Sequence, residues 1–274
     1  MPARPSLKGS RVLITGAARG MGALMAQGAI ERGASALVLW DSDKAALGQF
    51  VEQLPASQTR LMSAAVDVSS ATAVSRSAQK VLDAIGGVDI VINSAGVISG
   101  KHLLDLSAAD IERTFGVNTL ALYWTTQAFL PGMVERNVGR IVTIASAAGL
   151  AGPSQQTDYA ASKHAAVGFT ESLRAELRQQ RSAVSTLTVA PFYVSTGMFE
   201  GVQSSSPLLP ILNPERTVHA ILAAIESPRR ELLIPWTVHL VRWLRLLPPR
   251  AFDWVADWFG INKSMQHFVG RTKK

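Results

Sequence analysis

Short apolar runs, each about one strand long, alternate along the chain with stretches of helical periodicity. The runs fall at residues 11–15, 36–40, 60–66, 88–92, 140–144, 184–190 and 231–234, the third being the least apolar. Helical patterns lie between them: 21–32 before Gly33, about 43–54, a stretch ending at Ile85 before Gly86-Gly87, a long one from Ser107, 156–181, and one from Asn213-Pro214. Ser107-Ala-Ala-Asp110 is a capping-box signature for the long helix. Pro131 predicts a kink or break inside that helix. Strands that are apolar throughout need cover on both faces, which implies a parallel sheet between two helical layers. Right-handed crossovers then leave a doubly wound α/β fold of about seven strands. Such sheets bind ligands outside the carboxyl ends of their strands. Residues 1–234 are expected to form this domain, with 235–274 as a helical extension packed on it.

Composition narrows the class. Hydrophobic residues make up 47% of the chain and charged residues 17%, which excludes a disordered or fibrous protein. There is no cysteine, so disulfides, thiolate metal sites and a cysteine nucleophile are excluded. The histidines at 102, 164, 219, 239 and 267 lack metal-ligand spacing, and no metal is expected. The first residues carry no signal-peptide pattern, so a cytoplasmic location is expected.

The turn Thr15-Gly16-Ala17-Ala18-Arg19-Gly20-Met21-Gly22 joins the first strand to the first helix. Backbone N–H groups at a helix N-terminus attract phosphate, and glycines let the backbone approach it. Taken alone, the motif is equally a tight connection. Asp41 changes its weight. It stands at the end of the next strand, nineteen residues after Gly22, where a carboxylate accepts ribose hydroxyls and repels a 2′-phosphate. The reading is NAD rather than NADP, with Arg19 as the residue that argues the other way.

These and later motifs resemble the short-chain dehydrogenase/reductase family, a Rossmann-type fold. Thr-Gly-x-x-x-Gly-x-Gly is followed by Asn93-Ser-Ala-Gly96, with Ser94 as a departure, and by Asn118 in Val117-Asn-Thr-Leu120. Ser146 follows the fifth strand, and Tyr159-Ala-Ala-Ser-Lys163 matches the Tyr-x-x-x-Lys signature. Pro191 opens the segment after the sixth strand, with Phe192 in place of a commoner glycine. The resemblance implies catalytic roles for Asn118, Ser146, Tyr159 and Lys163. It implies cofactor contacts at Gly16, Arg19, Gly20, Met21, Gly22, Asp41, Asp67, Val68, Asn93, Ala95, Gly96, Tyr159, Lys163, Pro191, Val194 and Thr196. The segment from Pro191 to Pro214 and the tail Ala256-Asp-Trp-Phe-Gly-Ile261 resemble the family's epidermal retinol dehydrogenase branch, which implies a lipophilic alcohol or ketone as substrate.

The chemistry follows from the residue types. A hydride leaves an alcohol only if the hydroxyl proton leaves too, and a phenol with its usual pKa near 10 is a poor base at neutral pH. Lys163 lies one helical turn from Tyr159, so its charge is expected to favour the phenolate. Ser146 would hold the substrate oxygen, and by resemblance Asn118 supports a water leading from Lys163 to solvent. A rival reading is a non-catalytic, NAD(H)-binding redox sensor or a membrane-surface interaction protein, for which all four residues would be superfluous.

From Arg229 onward there are nine Lys/Arg against three Asp/Glu; the rest of the chain is nearly balanced. Trp236, Trp243, Trp254 and Trp258 lie in the same tail. Pro235, Pro248, Pro249, Arg242 and Arg245 interrupt any span of about 20 apolar residues, so two short amphipathic helices are expected. Three uses are open: peripheral membrane contact, a wall of a greasy pocket, or a packed or subunit-contacting segment. Nucleic acid is not an expected partner, since no recognisable module carries the charge. The family resemblance implies a homodimer or homotetramer.

Overall fold

The computed structural model describes residues 6–270. Its strands are β1 (Arg11–Thr15), β2 (Ala36–Asp41), β3 (Arg60–Ala65), β4 (Ile90–Asn93), β5 (Arg140–Ile144), β6 (Ser185–Pro191) and β7 (Glu231–Ile234). They form one sheet in the order β3-β2-β1-β4-β5-β6-β7, with every pairing parallel. The order reverses between β1 and β4, and a crevice opens there at the carboxyl ends.

The helices are α1 (Gly20–Glu31), α2 (Lys44–Glu52), α3 (Ala71–Ile85), α4 (Ala108–Phe115), α5 (Ala121–Glu135), α6 (Thr157–Gln179), α7 (Pro214–Ile225), α8 (Val238–Leu244) and α9 (Pro249–Trp258). Alternate residues of a strand point to opposite faces, and the two cores follow that rule. Val12, Ile14, Leu37 and Leu39 pack with Met25 of α1, Phe50 of α2 and Ile221 of α7. Leu13, Val38 and Trp40 pack with Val81 of α3, Phe129 of α5 and Leu173 of α6. The sheet is thus covered on both faces.

Ser107 caps α4 as expected: its hydroxyl accepts from Asp110 N at 3.1 Å, and the Asp110 carboxylate accepts from Ser107 N at 3.0 Å. Of the kink or break expected at Pro131, a break does not occur. Helix α5 runs through it to Glu135. Phe129 and Met133, on either side, are buried in the second core. At about 1.5–3 kcal/mol each, they offset a penalty of about 3 kcal/mol for the proline. The interruption lies earlier, in a π-helical turn at Gly116–Leu120.

The tail forms the two short helices α8 and α9. Val238 packs with Ala190 and Leu233, and Met265 with Tyr193 and Val202. The Thr237 hydroxyl donates to the carbonyl of Leu208 at 2.6 Å. The outward side chains are a different matter: Trp236, Trp243, Trp254 and Trp258 are 69–72% exposed. Among the described residues, no helix is long and apolar enough to cross a membrane. The last four residues, 271–274, with three of the tail's basic residues, lie outside the described residues.

Candidate active site

One cavity of about 870 Å³ runs along the carboxyl ends of the strands, from Arg19, Asp41 and Asp67 at one end to Tyr159, Met198 and Phe199 at the other. Its volume suits a large cofactor-sized ligand.

The glycine turn is shaped for close approach. Gly16 has φ +67°, and a Cβ there would lie 2.8 Å from the Ala95 backbone. A Cβ on Gly22 would lie 2.0 Å from the Gly16 carbonyl oxygen. Helix α1 begins at Gly20, with Arg19 at its N-cap making no side-chain capping bond and no acidic residue in the first turn. Its leading N–H groups therefore lack a side-chain cap, and the dipole's positive end faces the cavity, as an anion requires. The residues present fit a dinucleotide. Thr15 ties the neighbouring turn in place, its hydroxyl accepting from Ser94 N and Ala95 N at 3.1 Å each.

Asp41 ends β2 beside this turn. Its carboxylate accepts from Ala18 N and Asp43 N, both at 3.0 Å. Arg19 is not free: its guanidinium is paired with Asp43. Asp67 turns inward on its own loop, accepting from Ser69 N at 2.9 Å and the Ser69 hydroxyl at 2.7 Å.

At the other end, Ser146 follows β5, while Tyr159 and Lys163 sit one turn apart on α6; all three line the cavity. Tyr159 and Lys163 are both buried. Lys163 Nζ donates to the Ile144 carbonyl at 2.8 Å and lies 5.7 Å from the centre of the Tyr159 ring. Burial pulls the ammonium down to about 8. Burial also pushes the Tyr159 phenol above its usual range, against a hydrogen bond with Ser146 that acts in the opposite direction. The expected lowering of the phenol by Lys163 is therefore not met in this arrangement. Desolvation disfavours both charged forms, and the lysine's bond goes to a backbone carbonyl.

These features place the chain among known proteins. Residues 10–206 match the family model for short chain dehydrogenases. The chain belongs to that family. This dehydrogenase is 39% identical over 275 residues to human (Homo sapiens) epidermal retinol dehydrogenase 2, covering 99% of this chain and 89% of the relative. Its fold is similar to a short chain dehydrogenase/reductase from Burkholderia phymatum in complex with NAD. The TM-score there is 0.78 at 30% identity, over 88% of this chain and 94% of that one. A metagenomic short-chain oxidoreductase in complex with NADP gives 0.71 at 29% identity, over 83% and 97%. The dehydrogenase is thus an oxidoreductase of a family that takes nicotinamide cofactors.

Most of the expected contact residues of the dehydrogenase line the cavity: Gly16, Arg19, Gly20, Met21, Gly22, Asp41, Asp67, Val68, Ala95, Gly96, Pro191, Val194 and Thr196. Two of the expected residues stand behind it. Asn93 is buried, its Oδ1 accepting from the Thr125 hydroxyl at 2.7 Å. Asn118, in the π-turn, accepts from Val97 N at 2.9 Å and donates to Val97 O at 2.9 Å and the Ser162 hydroxyl at 3.0 Å. Sequence reasoning missed Ser162, which donates to the Tyr159 carbonyl at 2.7 Å and so links Asn118 to the helix carrying the phenol. It also missed Asp158, a buried carboxylate accepting from Ser99 and Thr114 hydroxyls at 2.8 Å each. The apolar wall went unread too. Ile98 and Phe199 pack on Tyr159, with Phe199 edge-on at 5.9 Å, and Tyr193 meets Phe199 at 5.0 Å.

Proposed function

We propose that this dehydrogenase interconverts a lipophilic alcohol, of retinoid, steroid or aromatic type, and its carbonyl compound, using NAD(H) in preference to NADP(H), with Tyr159 as proton donor and acceptor. The observation that carries this reading is that Ser146, Tyr159 and Lys163 open into the same cavity as the glycine turn. Bound there, the nicotinamide supplies the hydride acceptor or donor. Ser146 holds the substrate oxygen beside the Tyr159 hydroxyl. In reduction Tyr159 gives that oxygen its proton, a role favoured by burial, which keeps the phenol protonated. In oxidation it takes the proton, and the ammonium of Lys163 is the nearby charge that favours the phenolate. Asn118 and Ser162 hold the first turn of α6 in register. By the family resemblance, Asn118 supports a water that leads from Lys163 toward solvent.

Asp41 supports NAD(H), since a 2′-phosphate beside it would meet a fixed carboxylate. Ile98, Phe192, Met198 and Phe199 supply the apolar lining that a lipophilic substrate needs. The test is a screen of retinoids, steroids and aromatic ketones, followed by loss of NADH fluorescence. Turnover of at least one class is expected. Failure of all three, with NADH bound, contradicts the substrate reading.

Peripheral contact with a membrane surface from the cytoplasmic side belongs to the same proposal. Four largely exposed tryptophans in one short tail exceed what a water-facing surface ordinarily presents. With Arg245 and Arg250 beside them they suit the interfacial zone. Flotation with anionic phosphatidylserine vesicles at low salt is the check; absence of binding there contradicts it. Pairing of two or four copies through α5 and α6 is supported by Leu120 and Tyr123, which are exposed before and along α5.

A further inference from the structure

We propose that Asp43 is a cofactor-specificity residue, acting as the counter-ion that occupies the guanidinium of Arg19 and so withholds it from a 2′-phosphate. This rests on the NAD(H) reading above and extends it to a residue outside the glycine turn and outside β2.

Three side chains at one wall of the cavity form a connected unit. Asp43 Oδ2 is bonded to Arg19 Nη2. Asp43 Oδ1 accepts from Ala46 N at 3.0 Å and thereby caps α2, which fixes the carboxylate in place. Asp43 N donates to Asp41 Oδ1 at 3.0 Å, and Asp41 Oδ2 accepts from Ala18 N at 3.0 Å, inside the turn that carries Arg19. Arg19, Asp41 and Asp43 all line the cavity. Of the three cations lining it, Arg19, Arg113 and Lys163, only Arg19 belongs to the turn beside Asp41.

The consequence is electrostatic. A phosphate monoester brings a charge of about −1.5 to −2 near neutral pH. Beside Asp41 it would meet two carboxylates, while the guanidinium suited to bind it in a bidentate fork is already engaged. A ribose bearing only hydroxyls meets no such charge. Arg19 by itself argues for NADP(H); the Arg19–Asp43 pair removes that argument.

Asp43→Asn isolates the effect, because asparagine is as good an N-cap as aspartate and leaves α2 capped. Dissociation constants of NAD⁺ and NADP⁺ are measured by calorimetry in the wild type, Asp43→Asn, Arg19→Ala and the double variant. Releasing the Arg19 guanidinium to pair with the phosphate is expected to tighten NADP⁺ about five- to tenfold. NAD⁺ should move less than about twofold, and most of the NADP⁺ gain should be lost in the Arg19→Ala background. An unchanged NADP⁺ affinity in Asp43→Asn overturns the proposal. So does an equal gain without Arg19, since bare repulsion would then explain it. A wild-type preference for NADP⁺ overturns the NAD(H) reading alone; the Arg19-dependent gain decides the role of Asp43 separately.

Discussion

The ammonium of Lys163 lies 5.7 Å from the centre of the Tyr159 ring and bonds to the Ile144 carbonyl. The two groups share one buried space without a direct bond between them, so each is held toward its neutral form until a cofactor and substrate change the charge around them.

Stability should carry the mark of this burial. Lys163 has a folded-state pKa of about 8, below its ordinary 10.5. Between those values the unfolded chain binds more protons, so stability rises with pH across the window and falls away as pH drops through about 8. The full contribution is about 3 kcal/mol. Lys163→Met cannot titrate. Urea unfolding at pH 7.5 and 10.5 should show the wild type gaining on the variant by about that amount. A constant difference would show that the lysine is not desolvated.

Gly22→Ala should damage the cofactor end. The added methyl would lie 2.0 Å from the Gly16 carbonyl oxygen, backbone that cannot swing aside. Opening the turn is expected to cost about 1–3 kcal/mol and to weaken NADH binding by at least tenfold (about 1.4 kcal/mol). Fluorescence titration of NADH against the variant reads it, and unchanged affinity would mean the turn does not grip the cofactor.

Asp158→Ala tests a residue that sits beside the Tyr159 phenol without touching the cavity wall. Its carboxylate gathers the hydroxyls of Ser99 and Thr114, joining the loop after β4 to α4 and α6. Losing both bonds should lower stability by about 2–4 kcal/mol, with Asp158→Asn, which keeps an acceptor, losing less than half as much. Thermal unfolding of the two variants separates them; equal losses would point to packing instead.

At the opposite end of the strands, Arg140 donates to the carbonyls of Ser227 at 2.7 Å and Ala224 at 3.3 Å, and to that of Arg229. Burial lowers it to about 10. It joins the start of β5 to the end of α7, far along the sheet from Ser146. Arg140→Met should lower stability by about 2–4 kcal/mol and leave kcat within about twofold (under 0.5 kcal/mol). A large fall in kcat at temperatures where the variant is folded would contradict that division.

The sheet was legible because its residues speak locally: an apolar strand such as Leu37-Val38-Leu39 has no soluble alternative to burial on both faces. The glycine turn and the Tyr159–Lys163 pair were legible because their spacing is itself the signal. What escaped depends on long-range meetings. Asp158 meets Thr114 through the packing of α4 on α6 and Ser99 through the loop after β4, and Asp43 meets Arg19 across 24 residues. Nothing in the pattern around Asn118 marks a π-turn, and Pro131 speaks for a break that the burial of Phe129 and Met133 overrides. The Lys163–Tyr159 spacing gave proximity but not the direction of the lysine's bond.

The central claim is that the Tyr159 hydroxyl exchanges a proton with the substrate oxygen. Tyr159→Phe removes that oxygen and keeps the ring that Phe199 packs against. With an accepted lipophilic substrate, kcat should fall by at least about a thousandfold, within the range for loss of a positioned acid–base group, while the NADH dissociation constant changes less than about threefold. Turnover near the wild-type rate, with NADH bound equally well, would contradict the account.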